Sequence, residues 1–189
     1  MTGRRRAVGG VIAIAALLLS GCSLLPGEPK LKDVPVGASD DDLCLILQAK
    51  LVDEVFPGKT MWPDEQPAEF PDAPICSFQP DVGVGLIKVT IINRDVAMSD
   101  VIAVNKAAAS KDSDTCTQGA ELPEFTMGGD VETTLLCRSD DLTTFDYTGR
   151  FPSGALNFRV IRATDDERIT IDEAKAWLAD VVERVSKLK

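Results

Sequence analysis

Cys44, Cys76, Cys116 and Cys137 fall as one pair in each half of the chain, and that spacing constrains the fold more than any single apolar pattern. In an oxidising compartment an even set of thiols closes into disulfides, and four cysteines allow three pairings. Of these, the distribution by halves favours Cys44–Cys76 with Cys116–Cys137. Loops of such lengths would each stabilise the fold by roughly 3–4 kcal/mol in the chain-entropy account. The competing use of clustered thiols is zinc, which takes C-x-x-C spacing or thiols combined with histidine. The chain has no C-x-x-C and no histidine, so no metal site and no cofactor are expected.

The compartment is read from the N-terminus. Arg4, Arg5 and Arg6 precede an apolar stretch from Ala7 to Leu19, and small residues follow before Cys22. That order is the order of an export leader. The stretch is too short to span a bilayer, which takes roughly 20 apolar residues. Leu19-Ser20-Gly21-Cys22 resembles a bacterial lipobox. Small Ser20 and Gly21 would let extended backbone enter a processing site, and the Cys22 thiol would accept a diacylglyceryl group before cleavage. The expectation is a lipoprotein: a signal peptide at 1–21, then a mature chain starting at Cys22. Its acyl chains, palmitate among them, would hold it on the extracytoplasmic face of the cell membrane. Two chains are needed for stable anchoring, since each buried methylene contributes only about 0.8 kcal/mol. The alternatives are an ordinary secretory signal with Cys22 incidental, and a twin-arginine route whose flanking residues are missing here.

Removing residues 1–21 takes three arginines from the 20 basic residues and leaves 17 against 30 acidic ones, a formal charge of −13. An acidic surface of that size argues against nucleic acid as a partner, because such binding needs a basic face. The absence of histidine closes Ser-His-Asp and Cys-His catalysis, histidine-bearing zinc hydrolysis and histidine-ligated haem. A carboxylate pair or a Ser–Lys dyad would remain. The S-x-x-K match, Ser186 to Lys189, lies at the C-terminal tail. Asp112-Ser113-Asp114 opens like a calcium loop, but the loop's turn position falls on Thr117 and its bidentate position on Pro123. Gly83-Val84-Gly85 has no third glycine and no following helix, so it is not a phosphate loop. No enzyme is expected.

Residues 22–38, with Pro26, Gly27, Pro29, Pro35 and Gly37, predict a flexible tether, and 39–189 a single globular domain. Ser39 with Asp42 forms a capping pattern, and Leu43, Leu47, Leu51 and Val55 recur at four-residue spacing until Pro57-Gly58. That predicts the first helix. Residues 57–74 carry five prolines together with Met61, Trp62 and Phe70. A proline-rich loop of this length inside a domain is often functional. Packing of Trp62 and Phe70 onto the core is the alternative to contact with a ligand or partner. Strands are predicted over 75–78, 84–92, 133–138, 142–150 and 155–163, and a short helix from Ser99 to 109. Thr170 and Glu173 match a capping box, and Ala174, Trp177, Leu178, Val181, Val185 and Leu188 share the face of a closing helix. Trp177 is expected to anchor that helix on the sheet.

The fold class is therefore α+β: an antiparallel sheet packed by helices, with two disulfides and the arrangement a diverged duplication would leave. Cys22, Cys44 in Asp42-Leu43-Cys44-Leu45-Ile46-Leu47 and Cys76 in Ile75-Cys76-Ser77-Phe78 resemble the pattern of uncharacterised actinobacterial lipoproteins built on a domain of unknown function. More distantly the chain resembles the extracellular sensor domains of mycobacterial-type receptor kinases, which carry two disulfides around a groove. The resemblance covers roughly 40–165 and brings no catalytic residues. It implies a binding or sensing domain that meets an envelope ligand or protein, with Met61, Trp62 and Phe70 as contact residues. A structural lipoprotein acting through surface contacts is the second reading, and a carboxylate-based envelope hydrolase the third.

Overall fold

In the computed structural model the described residues are 29–47, 49–63, 73–92, 115–118, 125–163 and 168–188. The elements are α1 (Asp40–Ile46), α2 (Ala49–Val55), β1 (Met61–Pro63), β2 (Ile75–Pro80), β3 (Gly85–Ile92), β4 (Thr115–Gln118), β5 (Val131–Arg138), β6 (Leu142–Phe151), β7 (Gly154–Ala163) and α3 (Ile171–Val185). The strands form one seven-stranded sheet in the order β1-β2-β3-β7-β6-β5-β4. Every neighbouring pair in it is antiparallel. The α+β class and the sheet-with-helices architecture follow the sequence expectation.

Alternation explains the helix-covered face. Ile87, Val89 and Ile91 of β3 stand opposite Val160, Phe158 and Leu156 of β7. Phe145 and Tyr147 of β6 continue the rows against the same β7 residues. These side chains share one core with Leu43, Ile46, Leu51 and Val55 of the first two helices and with Trp177, Leu178, Val181 and Val182 of α3. Both capping boxes form: the Ser39 hydroxyl accepts from the Asp42 N–H, and the Thr170 hydroxyl from the Glu173 N–H. Trp177 is buried and anchors α3 as expected, with the Arg162 guanidinium 5.0 Å from its ring centroid.

Four sequence expectations change. The run from Leu43 to Val55 is two helices, not one, with α1 ending at Leu47 (φ −80°, ψ 33°). At 3.6 residues per turn a four-residue spacing drifts by about 40° per step, so an unbroken helix would carry Val55 about 120° away from Leu43. The break resets the stripe, and Leu43, Leu47, Leu51 and Val55 all reach the core. The domain also starts earlier than residue 39. Leu31 and Val34, placed by the sequence in the tether, are only 3% and 4% exposed and belong to the core. The Leu31 N–H donates to the Met127 carbonyl at 2.8 Å, which ties this segment to the sheet domain. Part of the proline-rich loop is strand β1. Strand β4 was not expected, because Thr115-Cys116-Thr117-Gln118 shows no apolar alternation. The helix expected at 99–109 lies outside the described residues.

Candidate functional site

At the β1 edge of the sheet a cleft of about 390 Å³ is lined by Cys44, Leu47, Val52, Asp53, Lys59, Met61 and Phe78. Its volume falls in the range of small-molecule sites, roughly 300–1,000 Å³. Local structure builds it from three sides. The Cys44–Cys76 disulfide joins α1 to β2 with a Cα–Cα distance of 5.1 Å, and the Asp40 carboxylate accepts the Ile75 N–H at 2.8 Å. Gly58, in the left-handed region at φ +73°, turns the chain out of α2, and the Lys59 N–H closes that turn on the Phe56 carbonyl. The chain then runs back along β2, pairing Met61 with Pro80 and Trp62 with Gln79. Floor and walls are mostly apolar, while Asp53 and Lys59 supply one carboxylate and one ammonium to the lining.

Strand alternation separates the residues that the sequence grouped together. Met61 faces the helices, lines the cleft and packs against the core. Trp62 is on the opposite face of β1 and is 58% exposed, so it is not the core anchor of the packing alternative. Phe70 and Cys22 lie outside the described residues. Cys44 and Cys76 are bridged as expected. In the β4–β5 ladder Cys116 stands directly opposite Cys137.

A second constellation was missed by the sequence reading. The alternation of Lys88 and Thr90 in β3, and of Asn157 and Arg159 in β7, reads as a solvated face of half-buried strands. The structure buries that face too. Ser77, Lys88, Arg159 and Asp146 form one cross-strand row through β2, β3, β7 and β6. Each is at least nine-tenths buried, Asp146 being 1% exposed. Arg159 Nε donates to Asp146 Oδ2 at 2.5 Å. Asn157 Nδ2 donates to Asp146 Oδ1, to the Tyr147 carbonyl and to Thr148 Oγ1, each at 3.0 Å. Ser77, Lys88, Asp146, Thr148 and Arg159 all have further interactions. Among the described residues Asp146 is the one acid of the buried set, and both its oxygens accept from β7. The only signal in the sequence is that charged and amide residues occupy the centre of strands that also carry the longest apolar alternation.

Elsewhere burial first, then the Glu132 carboxylate, raises the Tyr147 phenol far above its ordinary range. The Glu132 carboxylate also accepts the N–H groups of Met127 and Gly129, which fixes the turn leading into β5. No protein family, curated protein or solved structure matches the chain.

Proposed function

We propose that this chain is a lipid-anchored lipoprotein of the cell envelope whose domain captures a ligand with an apolar body at the β1 edge of its sheet. One observation carries the reading. A tryptophan is held largely in solvent on a short edge strand whose preceding residue, Met61, lines a mostly apolar cleft. Indole left in water forgoes the free energy of burial, and tryptophan is the side chain most often found as a binding hot spot. A ligand that wraps the β1 edge would reach the Met61 cleft on one side and the Trp62 face on the other. The anchor at Cys22 rests on the Leu19-Ser20-Gly21-Cys22 motif. No described helix is long and apolar enough to cross a membrane.

The register of β4 and β5 supports a second bridge, Cys116–Cys137, because directly opposed residues of an antiparallel pair bring their Cα atoms within disulfide range. One bridge in each half is the arrangement a diverged duplication would leave.

Trp62→Ala tests the capture reading. The mutant is expected to bind the envelope lipid and metabolite extract at least about 30-fold more weakly than wild type, the loss of a hot spot worth ~2 kcal/mol or more. Its thermal midpoint should move little, because the side chain is exposed. Unchanged capture by the mutant would leave a scaffolding role as the better account of the domain.

A further inference from the structure

The two ends of the domain meet at a second groove, of about 450 Å³. Leu31 and Val34 from the entering segment, with Val185 and Leu188 from the end of α3, make its apolar lining. Lys30 and Lys32, both exposed, stand at the same groove. Lys187 follows in the tail, where it pairs with Glu183 at 2.6 Å. The acid of the groove, Asp33, is exposed, and hydrogen bonds from Ser153 hold its carboxyl below the ordinary range and ionised. Its carboxylate accepts the Ser153 N–H at 2.9 Å, the Ser153 hydroxyl at 2.7 Å and the Val34 N–H at 2.9 Å. On a mature chain of formal charge −13, a groove lined by two exposed lysines against one exposed aspartate is a small local reversal of sign.

Its position gives that reversal a meaning. Lys30 is eight residues from Cys22, and a fully extended chain covers at most about 3.6 Å per residue, so the two Cα atoms lie within about 29 Å of each other. The tether is short because the core begins at Leu31. We propose that this groove is the membrane-docking surface of the domain, with Lys30 and Lys32 pairing with the phosphates of anionic phospholipid headgroups. The proposal rests on the lipoprotein reading, since the lipid at Cys22 is what delivers the groove to the bilayer. Two lysines near an anionic surface orient a domain that is already anchored, but do not hold one that is not. The remaining acidic surface is repelled by the same lipids, which favours one orientation.

The test uses the mature protein purified from membranes and reconstituted in vesicles of phosphatidylglycerol or of phosphatidylcholine. Amine-reactive labelling of Lys30, Lys32 and Lys50 is followed by mass spectrometry, with Lys50 on α2, its side chain 77% exposed, as the internal control. Lys30 and Lys32 are expected to label about fivefold more slowly on phosphatidylglycerol, the factor for one lysine at an anionic surface. Salt at about 1 M should abolish the difference, because the screening length falls to about 3 Å. Lys30→Gln should relieve the protection of Lys32. Equal labelling on both lipids by a protein that floats with the vesicles and carries acyl mass on Cys22 overturns the docking and leaves the anchor intact. Protection of Lys50 to the same degree overturns it as well. A chain that lacks acyl mass and does not float overturns both readings.

Discussion

Asp146 and Arg159 show how much one buried pair can decide. Both are withdrawn from water in the middle of the sheet, and removing one partner of such a pair leaves the other charge buried and less compensated. Asp146→Asn is therefore expected to lower unfolding free energy by about 3–5 kcal/mol in urea melts. The double mutant Asp146→Leu/Arg159→Met should be less destabilised than Asp146→Asn, because an apolar pair incurs no charge desolvation. A double mutant as unstable as the sum of the singles would show that the two charges act independently. Gly149 is tied to the same strand for a steric reason. A Cβ there would sit 2.3 Å from the hydroxyl oxygen of the buried Tyr147 phenol, so the ring would have to shift. In the sequence Lys88, Thr90, Asn157 and Arg159 stand as the polar residues of alternating strands, and alternation assigns them to the half-exposed face. That assignment assumed one covered face. Alternation separates two faces, but it does not say how many of them are buried.

The closing helix was the most legible element, because its start signal and its stripe agree. Thr170 and Glu173 cap it reciprocally, and Glu173 also meets the Arg162 guanidinium at 3.4 Å. Burial pushes the Glu173 carboxyl up, but hydrogen bonds donated by the Thr170 N–H and hydroxyl, with Arg162 alongside, outweigh it and hold the group below the ordinary carboxylate range. A depressed folded-state value means stability that is fully present above the unfolded-state value and is lost as pH falls through the folded-state one. Acid melts should therefore show wild type losing part of its stability below the ordinary glutamate range. Glu173→Gln should lose about 1 kcal/mol at neutral pH, as for a damaged cap, and show a flatter acid slope. An unchanged slope would remove Glu173 from the acid response. The first helix was legible at its start and not along its length. Ser39 and Asp42 fixed the cap from local chemistry, whereas the break after Ile46 follows from where the sheet lies. The β1 edge was harder still. Met61, Trp62 and Phe70 were grouped by proximity in the chain, and strand alternation then sent Met61 and Trp62 to opposite faces.

For the whole molecule the first question is the anchor. On the proposed lipoprotein reading, Cys22→Ala is expected to abolish acyl-label incorporation and to move the protein from the membrane fraction to an unprocessed or released pool. Unchanged labelling of the mutant would remove the lipoprotein reading and, with it, the delivery of the Lys30–Lys32 groove to the bilayer. The sequence alone determined what depends on neighbours along the chain: the caps at Ser39 and Thr170, the central and C-terminal strands and the stripe of α3. It also favoured the Cys44–Cys76 bridge, because the cysteines fall as one pair in each half of the chain. Only the tertiary structure decided that Leu31 and Val34 are core, that Trp62 is exposed beside the Met61 cleft, that Lys88, Asp146 and Arg159 are buried, and that the N-terminal lysines meet the end of α3. Each of these depends on which surfaces come together across many residues, and that is set by the burial of the whole sheet.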